Sequence, residues 1–438
     1  MIETKELKNR RKRLMDMIGS DSIAILPTSS VVVRNRDVEF PFRPDSDFFY
    51  LTGYPEPEAV LVLIPDREEG ECILFCRESD EKLETWHGRR SGLDGAVNIY
   101  AADDAFPIED MDDILPGLIE GHDRIFYNMG SDQNFDQRVL GWVNQIRGKV
   151  RAGIIAPDEF ISLNHFLHEM RLYKSRYEIK LMRQAAKISA KAHRRAMQNC
   201  QPGMYEYQLE GELISEFIKN GARYTAYPPI VGSGPNACIL HYTNNSDEIA
   251  DGDLLLIDSG AEYQCYASDI TRTFPVNGKF SKAQREIYNL VLSAQTAALN
   301  EIKPGNHWND PHDAAVRVLT EGMVELGILK GNPEDLIKNK DYAKYYMHRT
   351  GHWLGMDVHD VGDYKLDGEW RMLEAGMVMT VEPGLYLSAN SEGLSEQWRN
   401  IGVRIEDDVL VTKDGYDILS KDAPKTIDEI EELMANAA

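Results

Sequence analysis

The stretch DGDLLLIDSG, residues 251–260, decides how most of this chain folds. A second stretch, AGMVMTVEPG at residues 375–384, repeats its plan. Each has a turn glycine, an apolar run, a carboxylate six residues after that glycine and another glycine two residues further on. Each also follows a predicted pair of helices. The repeat therefore predicts a two-fold-like core in which two equivalent strands each deliver an acid to one place.

Helical periodicity accounts for the segments in front of these two strands. The predicted helices are 174–199, 206–220, 282–302 and 311–326. A stretch rich in Gly, Pro and Asn, 228–236, predicts a loop that leads into residues 238–242.

Earlier in the chain, short apolar runs bounded by Gly and Pro alternate with helical stretches. The strands predicted there are 22–26, 58–64 and 71–75. We therefore predict the α/β (α+β) class, with an N-terminal mixed α/β domain at residues 1–173 and a second domain at residues 174–438.

Length and composition exclude several classes of protein. The 438 residues exceed what one hydrophobic core usually organises. The net charge of −24 argues against binding to nucleic acid or anionic lipid. The longest apolar run, 59–64, is far shorter than the about 20 residues of a membrane span. An N-terminus without an apolar signal region and five scattered cysteines favour a reduced, cytoplasmic protein.

Carboxylates stand at the ends of the apolar runs. Asp258 ends one run, and Asp269 follows eleven residues later. A hairpin turning near residues 262–265 would make the two acids antiparallel neighbours, about 4.5–5.5 Å apart. Carboxylates that close repel each other unless a cation or a shared proton lies between them. The second half repeats this arrangement with Glu382 and Glu406.

In the sequence, His352 lies between the first pair of acids and the second pair, and it completes a possible ligand set. Taken singly, Asp258 could be a turn or cap residue, Glu406 part of a solvated acidic run and His352 an ordinary core histidine. Taken together, four carboxylates and one imidazole form a hard, oxygen-rich set suited to Mn, Co or Fe, or to Zn. The combination favours a site for two metal ions.

Five segments resemble the signature motifs of the proline-specific metallopeptidases with the pita-bread fold, which creatinase and methionine aminopeptidase share. They are IDSGA 257–261, SDITRTF 268–274, HRTGHWLG 348–355, TVEPG 380–384 and RIED 404–407. The chain is most similar to the bacterial aminopeptidase P family, the Xaa-Pro aminopeptidases. The segments that resemble this family's amino-terminal domain and pocket loop are 34–37, 42–53 and 232–242.

The resemblance implies hydrolysis of the Xaa-Pro bond, which releases the first residue of peptides with proline in second position. It also implies a hydroxide bridging two divalent ions, most often Mn, with Co or Zn as alternatives. Asp258 would bind one ion, Asp269 and Glu406 both, and His352 and Glu382 the other. The other implied catalytic roles are proton transfer by Glu382, carbonyl and oxyanion binding by His359 and His241, peptide contact by His348 and ligand orientation by Arg404.

The resemblance also implies a substrate pocket. Proline's nitrogen carries no N–H, so the pocket must recognise ring shape. Its implied residues are His241, His348, His359 and Tyr386, together with an aromatic wall. Trp86 resembles a tryptophan that reaches a neighbouring subunit's site, which implies a homo-oligomer, a tetramer or a dimer; core packing is the alternative for this residue. Arg349-Thr350 departs from the family's commonest filler and leaves the local pocket shape open.

Four other functions are weighed against this one. Prolidase has the same fold and metals but cuts only Xaa-Pro dipeptides, and organophosphorus ester hydrolysis is a side activity of this group. The amino-terminal motif and the segment around Trp86 favour aminopeptidase P. A non-catalytic peptide-binding module and a metal-free creatine hydrolase are disfavoured because all five ligand residues are present.

Overall fold

The structure, a computed structural model, describes residues 3–436. The chain forms two compact units, Met1–His168 and Glu169–Ala438. The division falls inside the helix Asn164–Leu172, a few residues before the predicted boundary near residue 173. Both units combine helices with β-sheets, so the predicted α/β class is confirmed. The placement of the domain boundary stays a prediction.

The first unit is built on a six-stranded mixed sheet. The strands of this unit are β1 (Ser22–Pro27), β2 (Val33–Asn35), β3 (Val38–Glu39), β4 (Val60–Leu63), β5 (Cys72–Cys76), β6 (Asp104–Pro107), β7 (Arg124–Phe126) and β8 (Glu159–Ile161). The sheet order is β6-β5-β4-β1-β7-β8, with β4 antiparallel to both neighbours and the other pairs parallel. The three strands predicted from sequence are β1, β4 and β5, while β2 and β3 form a separate exposed hairpin.

Helices cover this sheet and bury its apolar side chains, such as Ile25 and Val62. The helices of this unit are α1 (Thr4–Ile18), α2 (Ser46–Thr52), α3 (Glu81–His87), α4 (Gly92–Asn98), α5 (Met111–Ile119) and α6 (Gln133–Arg147), followed by α7 (Asn164–Leu172) at the division; α5 and α6 pack on the sheet, whereas α3 buries no residue. Within residues 3–436, no helix combines the length and apolar character that crossing a bilayer requires.

The second unit consists of helices packed on several small antiparallel sheets. The helices are α8 (Arg176–Asn199), α9 (Glu206–Lys219), α10 (Lys282–Asn300), α11 (Asp310–Glu325), α12 (Pro333–Lys338) and α13 (Ile427–Ala435). The strands are β9 (Tyr224–Thr225), β10 (Ile230–Ser233), β11 (Leu254–Asp258), β12 (Ala261–Tyr263), β13 (Tyr266–Ala267), β14 (Thr271–Pro275), β15 (Lys365–Leu366), β16 (Glu369–Trp370), β17 (Val378–Val381), β18 (Gly384–Leu387), β19 (Ile401–Arg404), β20 (Asp407–Val411) and β21 (Tyr416–Ile418).

The internal repeat in the sequence corresponds to a repeat in the structure. Helices α8 and α9 precede the sheet β10-β11-β14, and helices α10 and α11 precede the sheet β17-β20-β21. Ser175 and Ser281 each begin a helix with a capping box, in which the serine and a Glu or Gln three residues later exchange hydrogen bonds. All four long helices predicted from the sequence are present with nearly the predicted limits.

The predicted loop at residues 228–236 is wrong in part, because Ile230–Ser233 forms strand β10. All four of its residues are buried, and Ile230 pairs with Asp258 of β11. The Gly and Pro residues of this segment predict a turn locally, but pairing with a buried neighbouring strand outweighs that preference.

The two aspartates are neighbours for a different reason than the one predicted. The hairpin exists, with Gln264 and Cys265 in its turn at φ of 52° and 62°. However, the antiparallel partner of Asp258 is Thr271, not Asp269. Between the two aspartates the backbone approaches itself closely, since a Cβ added to Gly260 would lie 1.7 Å from the carbonyl oxygen of Ser268. Only glycine fits this close approach.

A buried ion pair joins the two halves of the repeat. Arg272 on β14 and Asp407 on β20 are both 0% exposed, with Nη2 2.7 Å from Oδ1. The other N–H groups of Arg272 donate to backbone carbonyl oxygens of Thr271, Glu406, Ala423 and Pro424. Asp407 also accepts from Ser420, Lys425 and Gln295. Because both charges are fully hydrogen-bonded, burying them is tolerated, whereas removing one partner strands the other.

Arg272→Met is expected to lower the free energy of unfolding by about 3–5 kcal/mol, because Asp407 keeps only Lys425 as a charged partner and four backbone carbonyl oxygens lose their buried donor. Urea denaturation followed by circular dichroism measures this change. Arg194→Met, at an exposed position on α8, is the matched control and should change stability by less than about 0.5 kcal/mol. Equal midpoints for the Arg272 variant and the native chain would contradict the expectation.

A second buried polar group, His193 on α8, lies behind the strand that carries Asp258. Its Nε2 is 2.9 Å from the carbonyl oxygen of Ser259, and the side chain is fully buried. Burial lowers the pKa of His193 to about 4. The histidine is therefore neutral in the folded protein at neutral pH and takes up a proton much more readily in the unfolded chain.

Between pH about 6.5 and about 4, the unfolded chain binds more protons at this site than the folded one, so His193 makes stability fall as the pH falls through this interval. His193→Gln keeps an N–H donor but does not titrate. We expect the loss of stability between pH 7 and pH 4 to be smaller in this variant by up to about 3 kcal/mol. Urea unfolding across this range measures the difference, with exposed His165→Gln as control; parallel pH profiles for native chain and His193→Gln would refute it.

Candidate active site

One cavity of the second unit collects the acids at the ends of the repeated strands. Its volume is about 250 Å³. Its lining consists of Leu240, His241, Asp258, Asp269, His348, Arg349, Gly351, His352, His359, Glu382, Arg404 and Glu406. Asp258 ends β11, Glu382 follows β17 directly, and Glu406 stands between β19 and β20. The two halves of the repeat therefore both deliver carboxylates to this cavity.

Three of these side chains are close enough to hold one ion together. Ligand atoms of Asp269, His352 and Glu406 all lie within 4.8 Å of one another. The Nδ1 of His352 is 2.9 Å from the carbonyl oxygen of Trp353, which can only accept, so Nδ1 carries the hydrogen. The Nε2 of His352 is then left for a ligand, and it lies 3.3 Å from Asp269 Oδ2 and 3.7 Å from Glu382 Oε1.

Asp258 is held beside this group by a buried arginine. Arg404 donates from Nη2 to Asp258 Oδ2 at 2.6 Å, from Nε to Thr271 Oγ1 at 3.0 Å and from Nη1 to the Tyr386 hydroxyl at 3.0 Å. Thr271 in turn donates to Glu406 Oε2 at 2.7 Å. One guanidinium thus orients two of the acids, directly and through a hydroxyl.

The pKa shifts of the residues in the cavity favour binding of a cation there. Burial, together with the nearby Asp269, Glu382 and Asp258, raises the pKa of Glu406 well above its usual range. Burial also raises the pKa of Glu382 to about 7. For His352, burial opposes protonation, but the adjacent carboxylates outweigh it and raise the pKa to about 9. Burial first and the neighbouring carboxylates second thus raise the pKa values of Glu406 and Glu382.

These residues fit a divalent metal. Carboxylate oxygens with one imidazole nitrogen are hard donors of the kind that Mn and similar ions take. The hydrogen on His352 Nδ1 is held by a carbonyl oxygen, which is the usual arrangement behind a metal-binding imidazole. The chain therefore has a candidate metal site formed by Asp269, His352 and Glu406, with Asp258 and Glu382 beside it.

The two nitrogens of His348 are both already engaged. Nδ1 is 2.7 Å from the carbonyl oxygen of Arg349 and must donate to it, so Nε2 accepts from the Tyr386 hydroxyl at 2.7 Å. Burial lowers the pKa of His348 to about 3, so the ring is neutral. His348 therefore presents ring atoms to the cavity rather than a free hydrogen-bonding nitrogen. Tyr386 lies behind it and connects it to Arg404.

His241 and His359 are different, because both are exposed at the cavity and neither has a recorded hydrogen bond to another residue in 3–436. The rings of His359 and His352 meet edge to face, with centroids 4.4 Å apart. Burial, followed by the influence of His352, lowers the pKa of His359. Ring nitrogens of these two histidines are thus available to a bound molecule.

The ring side chains among the residues that line the cavity are the four histidines, and the predicted aromatic wall stays a prediction. Tyr346 and Tyr386 contact His348 from behind. Trp86 lies in the first unit on α3 and is 82% exposed, so the alternative of core packing for this residue is wrong.

Sequence reasoning missed three residues that support the carboxylates. The hydroxyl of Tyr227 contacts both Asp258 and Asp269, and Asp408 Oδ1 accepts from the backbone N–H of Asp269 at 3.0 Å. The third is Thr271, between Arg404 and Glu406. Thr271 lies inside the quoted motif 268–274 and Asp408 directly follows the motif 404–407, which was the available signal. Nothing in the spacing around Tyr227, before two prolines, points to this role.

Comparisons with known proteins agree with this geometry. The family model for Metallopeptidase family M24 matches residues 180–413, and that for the Aminopeptidase P, N-terminal domain, matches residues 7–127. The chain is 46% identical to the Xaa-Pro aminopeptidase of Escherichia coli (strain K12), covering 100% of this chain and 99% of that one.

Solved structures show the same likeness. A Pseudomonas aeruginosa aminopeptidase superposes with a TM-score of 0.99 at 57% identity, covering 100% of this chain and 99% of that chain. Zn-substituted Escherichia coli aminopeptidase P in complex with product gives a TM-score of 0.97 at 45% identity, with the same coverage. The expected pita-bread fold of the second domain is confirmed. The chain belongs to metallopeptidase family M24, among the Xaa-Pro aminopeptidases, and hydrolyses the Xaa-Pro bond of peptides.

Proposed function

We propose that this hydrolysis uses two divalent cations, Mn in the cell, held by Asp258, Asp269, His352, Glu382 and Glu406. The observation that carries the proposal is the convergence of these five side chains, from both halves of the repeat, on one cavity of about 250 Å³. Four buried or half-buried carboxylates exceed what a single imidazole and Arg404 can neutralise, which supports two ions rather than one. The oxygen-rich donors support Mn over softer metals.

When bound, such a pair of ions lowers the pKa of water and polarises the scissile carbonyl group. The protein must then move a proton from the attacking water to the leaving nitrogen of proline. We assign this transfer to Glu382. Its carboxyl group lines the cavity beside His352 and can carry a proton from the water to the proline nitrogen. Thr380 Oγ1, 3.5 Å from Glu382 Oε1, supports its orientation.

We assign peptide binding to the histidines that surround the carboxylates. His241 and His359 have ring nitrogens available for the carbonyl oxygen and for the oxyanion that develops on it. Because both nitrogens of His348 are engaged, its ring forms a wall that matches the shape of proline, with Tyr386 as its support rather than as a direct contact. Arg404 acts as a positioning residue that holds Asp258 in place.

We further propose that the chain assembles into a homo-oligomer, a tetramer or a dimer, and works in the cytoplasm. The exposed side chains of Trp86, Val32 and Val33, which are 82%, 60% and 58% exposed, support a covered surface on the first unit. The buried free thiols of Cys72 and Cys76 support a reducing compartment.

Glu382→Gln keeps the size and burial of the side chain but removes the proton carrier. We expect kcat for an Xaa-Pro-Xaa tripeptide to fall by about 10²–10⁴-fold, with little change in KM. Amino acid release measured by mass spectrometry tests this. Glu321→Gln, at an exposed position on α11, is the matched control and should retain full activity.

The same assay decides between aminopeptidase P and prolidase activity. Cleavage of tripeptides and longer peptides supports the proposal, whereas an enzyme that cuts Xaa-Pro dipeptides alone would be a prolidase. A Glu382→Gln variant with native kcat would remove Glu382 from its assigned role.

Removing the metal should abolish activity and lower the melting temperature, because the buried carboxylates then repel one another without countercharge. Chelator-treated protein titrated with Mn in a calorimeter should bind two ions per chain, and Asp258→Asn should bind fewer. Co and Zn serve as comparison ions. Stoichiometric binding of one ion, or full activity after chelation, would contradict the two-ion site.

A further inference from the structure

Arg349 lines the cavity beside His348, and the mechanism above makes no use of its charge. Arg349 and Thr350 are the two residues at which the histidine motif departs from the commonest family pattern. The side chain of Arg349 is exposed and forms no ion pair with a carboxylate among residues 3–436. In a chain with a net charge of −24, a cation without an acidic partner at the active-site cavity is unusual.

The guanidinium of Arg349 is held in place without a countercharge. Its Nη2 donates to Oδ1 of Asn309, whose Nδ2 donates to Asp313 Oδ2 at 2.7 Å. This second bond turns the amide so that its oxygen faces Arg349. The Cζ of Arg349 also lies 4.9 Å from the ring centre of Trp370, which packs against the core. An indole ring and one amide thus position the group and leave its other N–H donors available.

Arg404, the other arginine at the cavity, is not available to bind a further molecule. Arg404 is buried, and its Nη2, Nε and Nη1 already donate to Asp258, Thr271 and Tyr386. Among the residues that line the cavity, Arg349 is therefore the guanidinium with donors left for a bound molecule.

We propose that Arg349 binds a carboxylate of the substrate on the C-terminal side of the scissile bond. This inference rests on the proposed function. The free amine at the start of the peptide is a cation, which the positive charge of Arg349 repels. Only the other end of the peptide can then meet Arg349.

The planar guanidinium matches a carboxylate with two parallel hydrogen bonds. The carboxylate has two sources, the C-terminus of a short peptide or an acidic side chain just after proline. In either case Arg349 sets a preference among substrates and takes no part in bond cleavage. Arg349 is thus a specificity-determining residue.

Four peptides test this preference and separate the two sources. Ala-Pro-Gly with a free C-terminus is compared with its C-terminal amide, and Ala-Pro-Glu amide with Ala-Pro-Gln amide. In the native enzyme we expect the free acid, the glutamate peptide or both to be preferred. Arg349→Ala should reduce that preference in kcat/KM by about ten- to a hundredfold, through KM, because a charge-assisted hydrogen bond is lost. Arg349→Lys should restore part of it.

Lys365→Ala is the matched control. Its Nζ lies 4.5 Å from the same Trp370 ring, but the residue does not line the cavity. Trp370→Leu, which removes the support of Arg349, should weaken the preference less than Arg349→Ala does. An unchanged kcat for the amide peptides shows that each variant is folded and active.

Two results would overturn the inference: an unchanged carboxylate preference in Arg349→Ala, or an equal loss in Lys365→Ala. A change confined to the first peptide pair identifies the C-terminus as the anion, and a change confined to the second identifies the side chain. Failure of the native enzyme to cleave even the amide peptides would instead refute the proposed function and the inference resting on it. The two failures are therefore distinguishable.

Discussion

The buried pair of Arg272 and Asp407 is the constraint on which the rest of the second unit depends. Arg272 belongs to the first half of the repeat and Asp407 to the second, and neither charge has access to water. Both can stay buried only if β14 and β20 keep their alignment. That same alignment sets the distance between Asp269, just before β14, and Glu406, just before β20. The geometry of the candidate metal site is thus a consequence of how a structural ion pair is satisfied.

The site concentrates charge that the fold cannot neutralise alone. Arg404 compensates Asp258 and Tyr227 offers a single hydroxyl hydrogen to Asp258 and Asp269, so much negative charge is left over. The shifted pKa values of Glu382 and Glu406 express this excess. Affinity for cations and low stability without them are therefore two results of one arrangement, because the repulsion that weakens the empty site is what a bound ion relieves.

Much of the fold and the acidic residues could be predicted because their signals are local. Capped amphipathic helices, the apolar runs of β11 and β17 and the acids that end them can all be recognised within a short stretch of sequence. The partners of Arg272 and the contacts of Tyr227 could not be predicted, since they join residues far apart in the chain. Strand β10 was missed because its pairing with β11 outweighs the local Gly and Pro signals.

Both ring nitrogens of His348 form hydrogen bonds within the protein, so substrate binding and proton transfer are assigned to two different residues, His348 and Glu382. Burial lowers the pKa of His348 to about 3, which keeps this ring neutral near neutral pH. The ring that we propose to meet proline therefore keeps the same charge and the same hydrogen bonds while Glu382, the proposed proton carrier, gains and loses a proton nearby. If these roles hold, substitutions at His348 change which peptides are cleaved, and substitutions at Glu382 change the pH dependence of cleavage. A variant with an altered pH profile can therefore keep its preference for proline peptides.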